Sequence, residues 1–352
     1  MTDRRWKQRP PGSTWGDWGD DDELGRINLL TRDKVLQGAA EIKEGVTFSL
    51  SLPLDYPGGT ALNQRRYPPI LKPTEDLQHK QDVFYNVIAR EQISPDFNDV
   101  WSDDQVTLWL QYSTQWDALA HQGAEFDADA DGVPEAVYYN GYRAGQDIVG
   151  PQEDAKGDGS GSLGFARHLG LEHMAAHGVQ GRGVLIDLEH HLGRGWQAVD
   201  FATLSGIMKT DNVVVEPGDM VVIHTGFATQ ILEWGKNPDP VAIHRTASYL
   251  DAHDPAILQW VTDSGLSALI ADNYAVEGVG VERPPNEPVP HTLLPIHQHC
   301  LFKLGVPLGE LWFTRDLARW LREHGRTRFL LTAPPLRLPG TQGSPLTPVA
   351  TV

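Results

Sequence analysis

Short apolar runs, set far apart along the chain, constrain its fold more than any other feature. They are VLID inside GRGVLIDLEH (181–190), MVVIH inside DNVVVEPGDMVVIHTGF (211–227), ALIA inside LSALIADN (266–273) and FLLT inside RFLLTAPP (328–335). Each reads as a short strand bounded by turn residues. In 211–227 two apolar runs flank Glu-Pro-Gly-Asp, which predicts a hairpin or a tight strand-to-strand connection. VTFSLSLPL (46–54) and the stretch from Gln105 to His121 predict further strands. Helical patterns cover 31–45, 167–178, 254–265, 291–305 and 314–325. In the first, Thr31 is the cap, Gly45 the stop, and Val35, Leu36, Ala39 and Ile42 the apolar face. Asp254 and Pro255 open the 254–265 helix as cap and first residue.

Strands, intervening helices and Gly-rich turns together predict a mixed α/β unit spanning 1–352. Loops are expected at 1–20 and 150–162, with a Pro/Gly-rich tail at 336–352. The 35 Gly and 25 Pro argue against a helical bundle.

A formal charge of −18 opposes binding to nucleic acid or to anionic lipid, and no Lys/Arg cluster offsets it. The single cysteine, Cys300, excludes an intrachain disulfide and a cysteine-rich zinc site. The N-terminus lacks the apolar run of a signal peptide, and no apolar span is long enough for a membrane. A cytoplasmic protein acting on a small molecule is expected, without nucleic-acid or membrane partners.

Common motifs are missing. There is no G-x-G-x-x-G after a strand, no phosphate-binding G-x-x-x-x-G-K-[ST] and no G-x-S-x-G. EFDADADGVPEAVYYNGY (125–142) opens like a calcium loop. Counted from Asp127, however, position twelve is Tyr138 where a bidentate Glu is needed, so a solvated turn is the better reading. His173 and His177 share a helix face but do not form H-E-x-x-H, and they read as surface or hydrogen-bonded histidines. The adjacent His190 and His191 read as loop residues, or as one satisfied histidine beside one exposed.

QYSTQWDALAH (111–121) is different. On a regular strand Gln111, Ser113, Gln115, Asp117 and His121 would share one face, with Tyr112, Thr114 and Trp116 on the other. Leu119 on the polar face indicates that the strand bends near Ala118. A buried carboxylate needs partners, and Asp117 with His121 and a divalent metal is one solution. Spacing alone leaves this open against a solvent-facing sheet edge.

The same stretch, Q111-Y-S-T-Q115-W-D117-A-L-A-H121, resembles the signature His-x-Gly-Thr-His-x-Asp-x-Pro-x-His of the cyclase family, which includes kynurenine formamidase and isatin hydrolase. In that family the first two His and the Asp bind a divalent metal, and the last His lies in the active site. The segment H297-Q-H-C-L-F-K-L-G305-V-P-L-G-E310 resembles the family's later His and Gly-x-x-x-x-Glu element. His297 is the first choice for that histidine and His299 the alternative. Blocks such as WGDDDELGRINLLT, RGVLIDLE, GDMVVIHTGF, ADNYAVE and TQGSPLTPVA extend the resemblance over nearly the whole chain, as a branch carrying Gln-Trp-Asp.

The resemblance implies a swivelling β/β/α fold with a mixed or barrel-like sheet and flanking helices. It implies metal ligands at Gln111, Gln115 and Asp117, catalytic roles for His121, His297 and Glu310, and a homo-oligomer, such as a homodimer. Tyr112 and Trp116 would wall the substrate pocket. Glutamine is a neutral oxygen donor, so an oxygen-rich site would favour Mn²⁺ or Mg²⁺ over Zn²⁺, or bind no metal. The activity implied is hydrolysis of a carbon–nitrogen bond in an amide, aryl formamide or lactam, as in tryptophan breakdown. Two alternatives stand beside it: a cyclase, lactonase or dehydratase acting on a cyclic or polyketide-like substrate, and a metal-free binding protein.

Overall fold

The computed structural model describes residues 4–75, 81–151, 162–281 and 290–352. Among these, nine strands form the main sheet: β1 (Thr47–Ser49), β2 (Gln115–Asp117), β3 (Gln180–Asp187), β4 (Met220–His224), β5 (Ala268–Ala271), β6 (Leu308–Glu310), β7 (Arg328–Thr332), β8 (Gly343–Pro345) and β9 (Val349–Thr351). Their spatial order is β1-β9-β7-β3-β4-β5-β6-β2-β8. The four central strands, β3 to β6, run parallel, and every other pairing is antiparallel.

The pattern follows from the apolar runs. Val184–Ile186, Met220–Ile223 and Ala268–Ala271 are buried throughout, as strands covered on both faces must be. Parallel neighbours need crossovers, and helices supply them. The α-helices of five residues or more are α1 (Arg32–Ala39), α2 (Leu171–His177), α3 (Leu188–Leu192), α4 (Phe201–Thr210), α5 (Phe227–Glu233), α6 (Pro255–Ser264) and α7 (Arg315–Glu323). Between β5 and β6, the turn Pro295–His297 continues as a π-helix, Gln298–Leu304. This is the mixed-sheet α/β architecture expected. No described helix is long and apolar enough to cross a membrane.

Several local expectations are corrected. The single strand over 105–121 is two, Asp104–Thr107 and β2, because the chain turns through 110–114. The run 211–227 is no hairpin: only β4 forms, and its partners are the parallel β3 and β5. The strand predicted over 46–54 shortens to β1. Thr31 does cap α1, accepting from Lys34 N, but the helix ends at Ala39 rather than Gly45.

The face that α1 buries is also different. Leu36 and Ile42 are exposed, whereas Lys34 and Gly38 are buried. A Cβ on Gly38 would lie 2.6 Å from the Gly181 carbonyl carbon, so only glycine lets α1 touch the β3 backbone. Lys34 meets a buried carboxylate: its Nζ lies 3.1 Å from Asp219 Oδ1, which also accepts from Arg182 Nε at 2.8 Å. A satisfied ion cluster thus replaces the apolar stripe.

The segment called a tail contributes β8 and β9 to the sheet, so it is structural. Most of the expected 150–162 loop lies outside the described residues. The DADADG run is a hairpin turn between Ala124–Phe126 and Glu135–Val137, where Asp127 accepts from the backbone of Asp131 and Gly132.

Candidate functional site

β2 lies between β6 and β8, antiparallel to both, with Gln115 opposite Glu310 and Asp117 opposite Gly343. Strand alternation sends Gln115 and Asp117 to one side and Trp116 to the other. Trp116 is fully buried, donates to Ala333 O at 2.8 Å and packs edge-on to Trp312 at 5.0 Å. It therefore anchors the strand in the core and does not wall a pocket. Gly309, opposite Trp116, leaves room for Ile270 and the Trp312 indole.

On the other side a polar cluster forms. Gln115 Nε2 donates to Asp117 Oδ1 at 3.2 Å and to Glu310 Oε2 at 3.1 Å. His297 Nε2 lies 3.2 Å from Glu310 Oε1, and His297 Nδ1 lies 2.8 Å from Glu277 Oε1. Glu277 also accepts from the backbone of Ile296 at 3.0 Å and of His297 at 2.9 Å. His121 Nε2 stands 3.9 Å from Asp117 Oδ1. Gln115, Asp117, Glu277, His297 and Glu310 are all buried.

Backbone strain accompanies two of these carboxylates. Ala275 and Val276, just before Glu277, have φ of 71° and 61°, and Leu311, just after Glu310, has 56°. A β-branched residue rarely adopts this left-handed region, and such outliers cluster at functional sites.

The environment pushes the two carboxylates of the cluster apart. Burial raises the Asp117 pKa, opposed by His121 and reinforced by the Glu310 charge. Burial also acts on Glu310, but the hydrogen bond and charge of His297 outweigh it and hold Glu310 below its ordinary value. Burial disfavours the His297 imidazolium, yet hydrogen bonds to Glu277 and Glu310 push its pKa up to about 10.

These residues fit a divalent cation. Asp117, His297 and Glu310 each offer a ligand atom, all within 4.8 Å of one another. Gln115 Oε1 and Asp117 Oδ2 are buried without a hydrogen-bond partner among the described residues. Such orphaned oxygens are costly unless something positive faces them. A carboxylate on the far nitrogen of a histidine, as Glu277 is on His297, is the usual support of a metal ligand.

Gln111 lies before β2, in the turn, and its side chain packs against Gly343, where a Cβ would come within 2.3 Å of Nε2. It lines a cavity of about 310 Å³ together with Tyr112, His121, His297 and Glu310. The hydrogen bonds that knit the cluster run through Gln115. Tyr112 OH accepts from Gly58 N at 3.0 Å and donates to Gly59 O at 2.9 Å, so its ring is a fixed part of the cavity wall. His299 points elsewhere: its Nε2 lies 2.9 Å from Thr262 Oγ1, and burial drops its pKa to about 4. His297 is the histidine at the cluster.

Glu277, Arg66, His244 and Tyr274 were not singled out from sequence. The readable signal for Glu277 is the acidic residue closing ADNYAVE, just after a buried strand. Arg66 and His244 sit in segments without periodicity, and only the fold brings them to the cavity.

A sequence profile of the family described as "Putative cyclase" matches residues 48–278. The chain belongs to the cyclase family. A crystal structure described as that of a novel cyclase shares 30% identity with this cyclase-family chain, covering 98% of it and 100% of its own length with a TM-score of 0.71. Isatin hydrolase A from Ralstonia solanacearum has the same fold at 12% identity, with a TM-score of 0.53 over 87% of this chain and 91% of its own. Isatin hydrolase A from Labrenzia aggregata, bound to benzyl benzoate, gives 12% and 0.52 over 90% and 97%. No curated protein matches by sequence. Membership of the cyclase family and the Asp117–His297–Glu310 triad together support a metal-dependent hydrolase- or cyclase-type activity.

Proposed function

We propose that this chain is a divalent-metal enzyme that opens or closes a small ring at its carbonyl, in a cyclic ester, imide or lactam borne on an aromatic or polyketide-like body. One observation carries this reading: the buried Asp117–His297–Glu310 triad, with two orphaned oxygens beside it, meets a cavity of about 310 Å³ with leucine and tyrosine side chains in its wall. A cavity near 300 Å³ suits a small organic molecule. The isatin hydrolases of like fold are named for a cyclic amide, which supports ring substrates over open-chain formamides. Hydrolysis of an aryl formamide is the open-chain counterpart of the same attack at a carbonyl. Within the family we assign the chain to a branch with Gln-Trp-Asp in its signature.

A bound divalent ion would acidify a water and polarise the carbonyl. Asp117, Glu310 and His297 would hold it, with Gln115 Oε1 as a neutral fourth donor; this oxygen-rich set favours Mn²⁺ or Mg²⁺. His121, partly exposed at the cavity wall and 3.9 Å from Asp117, would take or return the proton. Glu277 fixes the His297 ring. Tyr112 shapes the wall.

A second reading is a metal-free binding protein. The observation that favours it is Gln115 Nε2, which already bridges Asp117 and Glu310. Elemental analysis of the purified chain, then assays with a lactone, isatin and N-formylaniline, separates the readings. We expect retained or added Mn²⁺ to raise the melting temperature and to support ring opening. If Mn²⁺, Mg²⁺ and Zn²⁺ all fail on both counts, the enzyme reading is wrong.

A further inference from the structure

Inside a chain of net charge −18, the cavity wall carries an opposite local balance. Arg65 and Arg66 both line it, and Glu310 is the single carboxylate among its described lining residues, already paired with His297. Neither arginine forms an ion pair among the described residues. Arg66 is half-buried, and its Nη1 donates to Gln111 O at 2.6 Å. That bond fixes the guanidinium beside the turn that leads into β2. Gln111 in turn packs on Gly343, the β8 partner of Asp117. The Arg66 charge reaches both Asp117 and Glu310, where it is a minor contribution that favours the carboxylate form against burial.

A neutral carbonyl contact does not compensate a guanidinium charge. Arginine has five donors in a planar fork that matches a carboxylate. The wall also carries the apolar side chains of Leu62, Val279 and Leu293. His244 Nε2 lies 3.1 Å from Ala61 O and its Nδ1 3.1 Å from Tyr274 OH, and neither side chain carries a carboxylate. This pair supplies no counter-ion for the arginines.

We infer that the cavity selects a carboxylate-bearing substrate with an apolar or aromatic body, and that Arg66 is the residue that receives the carboxylate. The inference rests on reading this cavity as the substrate site of the proposed enzyme, and it names the substrate class. A negatively charged protein gains specificity this way: long-range repulsion lowers the capture of anions in general, and only one that fills the cavity reaches the guanidinium.

The test compares 3-phenylpropionate with its neutral isostere 3-phenylpropionamide by calorimetric titration of the full chain, metal-free and Mn²⁺-loaded. We expect the acid to bind about tenfold tighter or more, with the preference shrinking as salt is raised. Arg66→Gln should abolish the preference while leaving amide binding intact, which also shows that the variant is folded. Arg66→Lys should keep part of it. No binding of the acid, equal binding of acid and amide, an acid preference only in the Mn²⁺-loaded protein, or a preference retained in Arg66→Gln would each overturn the inference. If Arg66→Gln binds neither probe, Arg66→Lys decides: retained preference upholds the assignment and its loss overturns it. Ring opening without acid preference sinks this inference alone. Acid preference without ring opening sinks only the enzyme reading.

Discussion

Glu277 holds His297 by its ring and its backbone at once: Oε1 takes Nδ1 at 2.8 Å and the amide at 2.9 Å. One carboxylate therefore sets both where the imidazole sits and which nitrogen faces Glu310. Replacing it by Glu277→Gln keeps the shape and removes the charge. Mn²⁺ affinity should fall about 10–100-fold, as for other supports of metal-ligating histidines. A calorimetric titration checks this; unchanged affinity would reduce Glu277 to a helix cap.

Asp117→Asn keeps the volume of a buried side chain and removes its charge. The stabilisation by Mn²⁺, about 2.7 kcal/mol at a hundredfold excess over Kd, should vanish from thermal melts. A full Mn²⁺ shift in this variant would remove Asp117 from the ligand set.

His121→Ala should separate binding from turnover. The imidazole is outside the triad, so Mn²⁺ uptake should persist while kcat falls by about 10²–10⁴, the usual worth of a positioned acid or base. Wild-type turnover would assign the proton transfer to another group.

Gln115→His tests the amide in the centre of the cluster. An imidazole there should shift metal preference toward Zn²⁺, read by competition against Mn²⁺. It also deletes the bridge from Gln115 Nε2 to both carboxylates, so the metal-free variant should melt earlier than the metal-free parent. If preference stays with Mn²⁺, position 115 does not face the ion.

His224 gives a pH signature away from this site. Burial opposes its charge, but Asp272 at 3.1 Å and Glu189 at 2.7 Å push its pKa from 6.5 up to about 10. A raised pKa stabilises the fold fully below 6.5, and that contribution is lost as pH rises through about 10. Stability should therefore decline across this alkaline window. His224→Gln should remove that decline and cost about 3–5 kcal/mol, because two carboxylates lose their cation. Urea melts at several pH values measure both.

The sequence disclosed strands wherever an apolar run was continuous, because burial on both faces leaves a local signature. It misjudged α1, whose buried face is a lysine and a glycine: Lys34 pairs with Asp219, 185 positions away, and Gly38 abuts the Gly181 backbone; no local window holds that information. The polar stretch 111–121 announced a site, yet one face assigned by strict alternation mixed two locations, since the turn at 110–114 was invisible. Gln115, Asp117, His297 and Glu310 lie together in one buried cluster. Arg66 and Glu277 emerged only when the loop and the strained turn were seen in space.

Placing β2 between β6 and β8 has a consequence for how the molecule comes into being. The cluster draws on residues 115–117, 277, 297 and 310, and the strand that bears Gln115 and Asp117 is bordered by Gly343–Pro345. Contacts of such sequence separation form late and slowly. During synthesis Gln115 and Asp117 are made early and wait, unpaired on one edge, until more than two hundred further residues have followed. Chemistry here belongs to no segment of the polypeptide; it arrives with the closing strand.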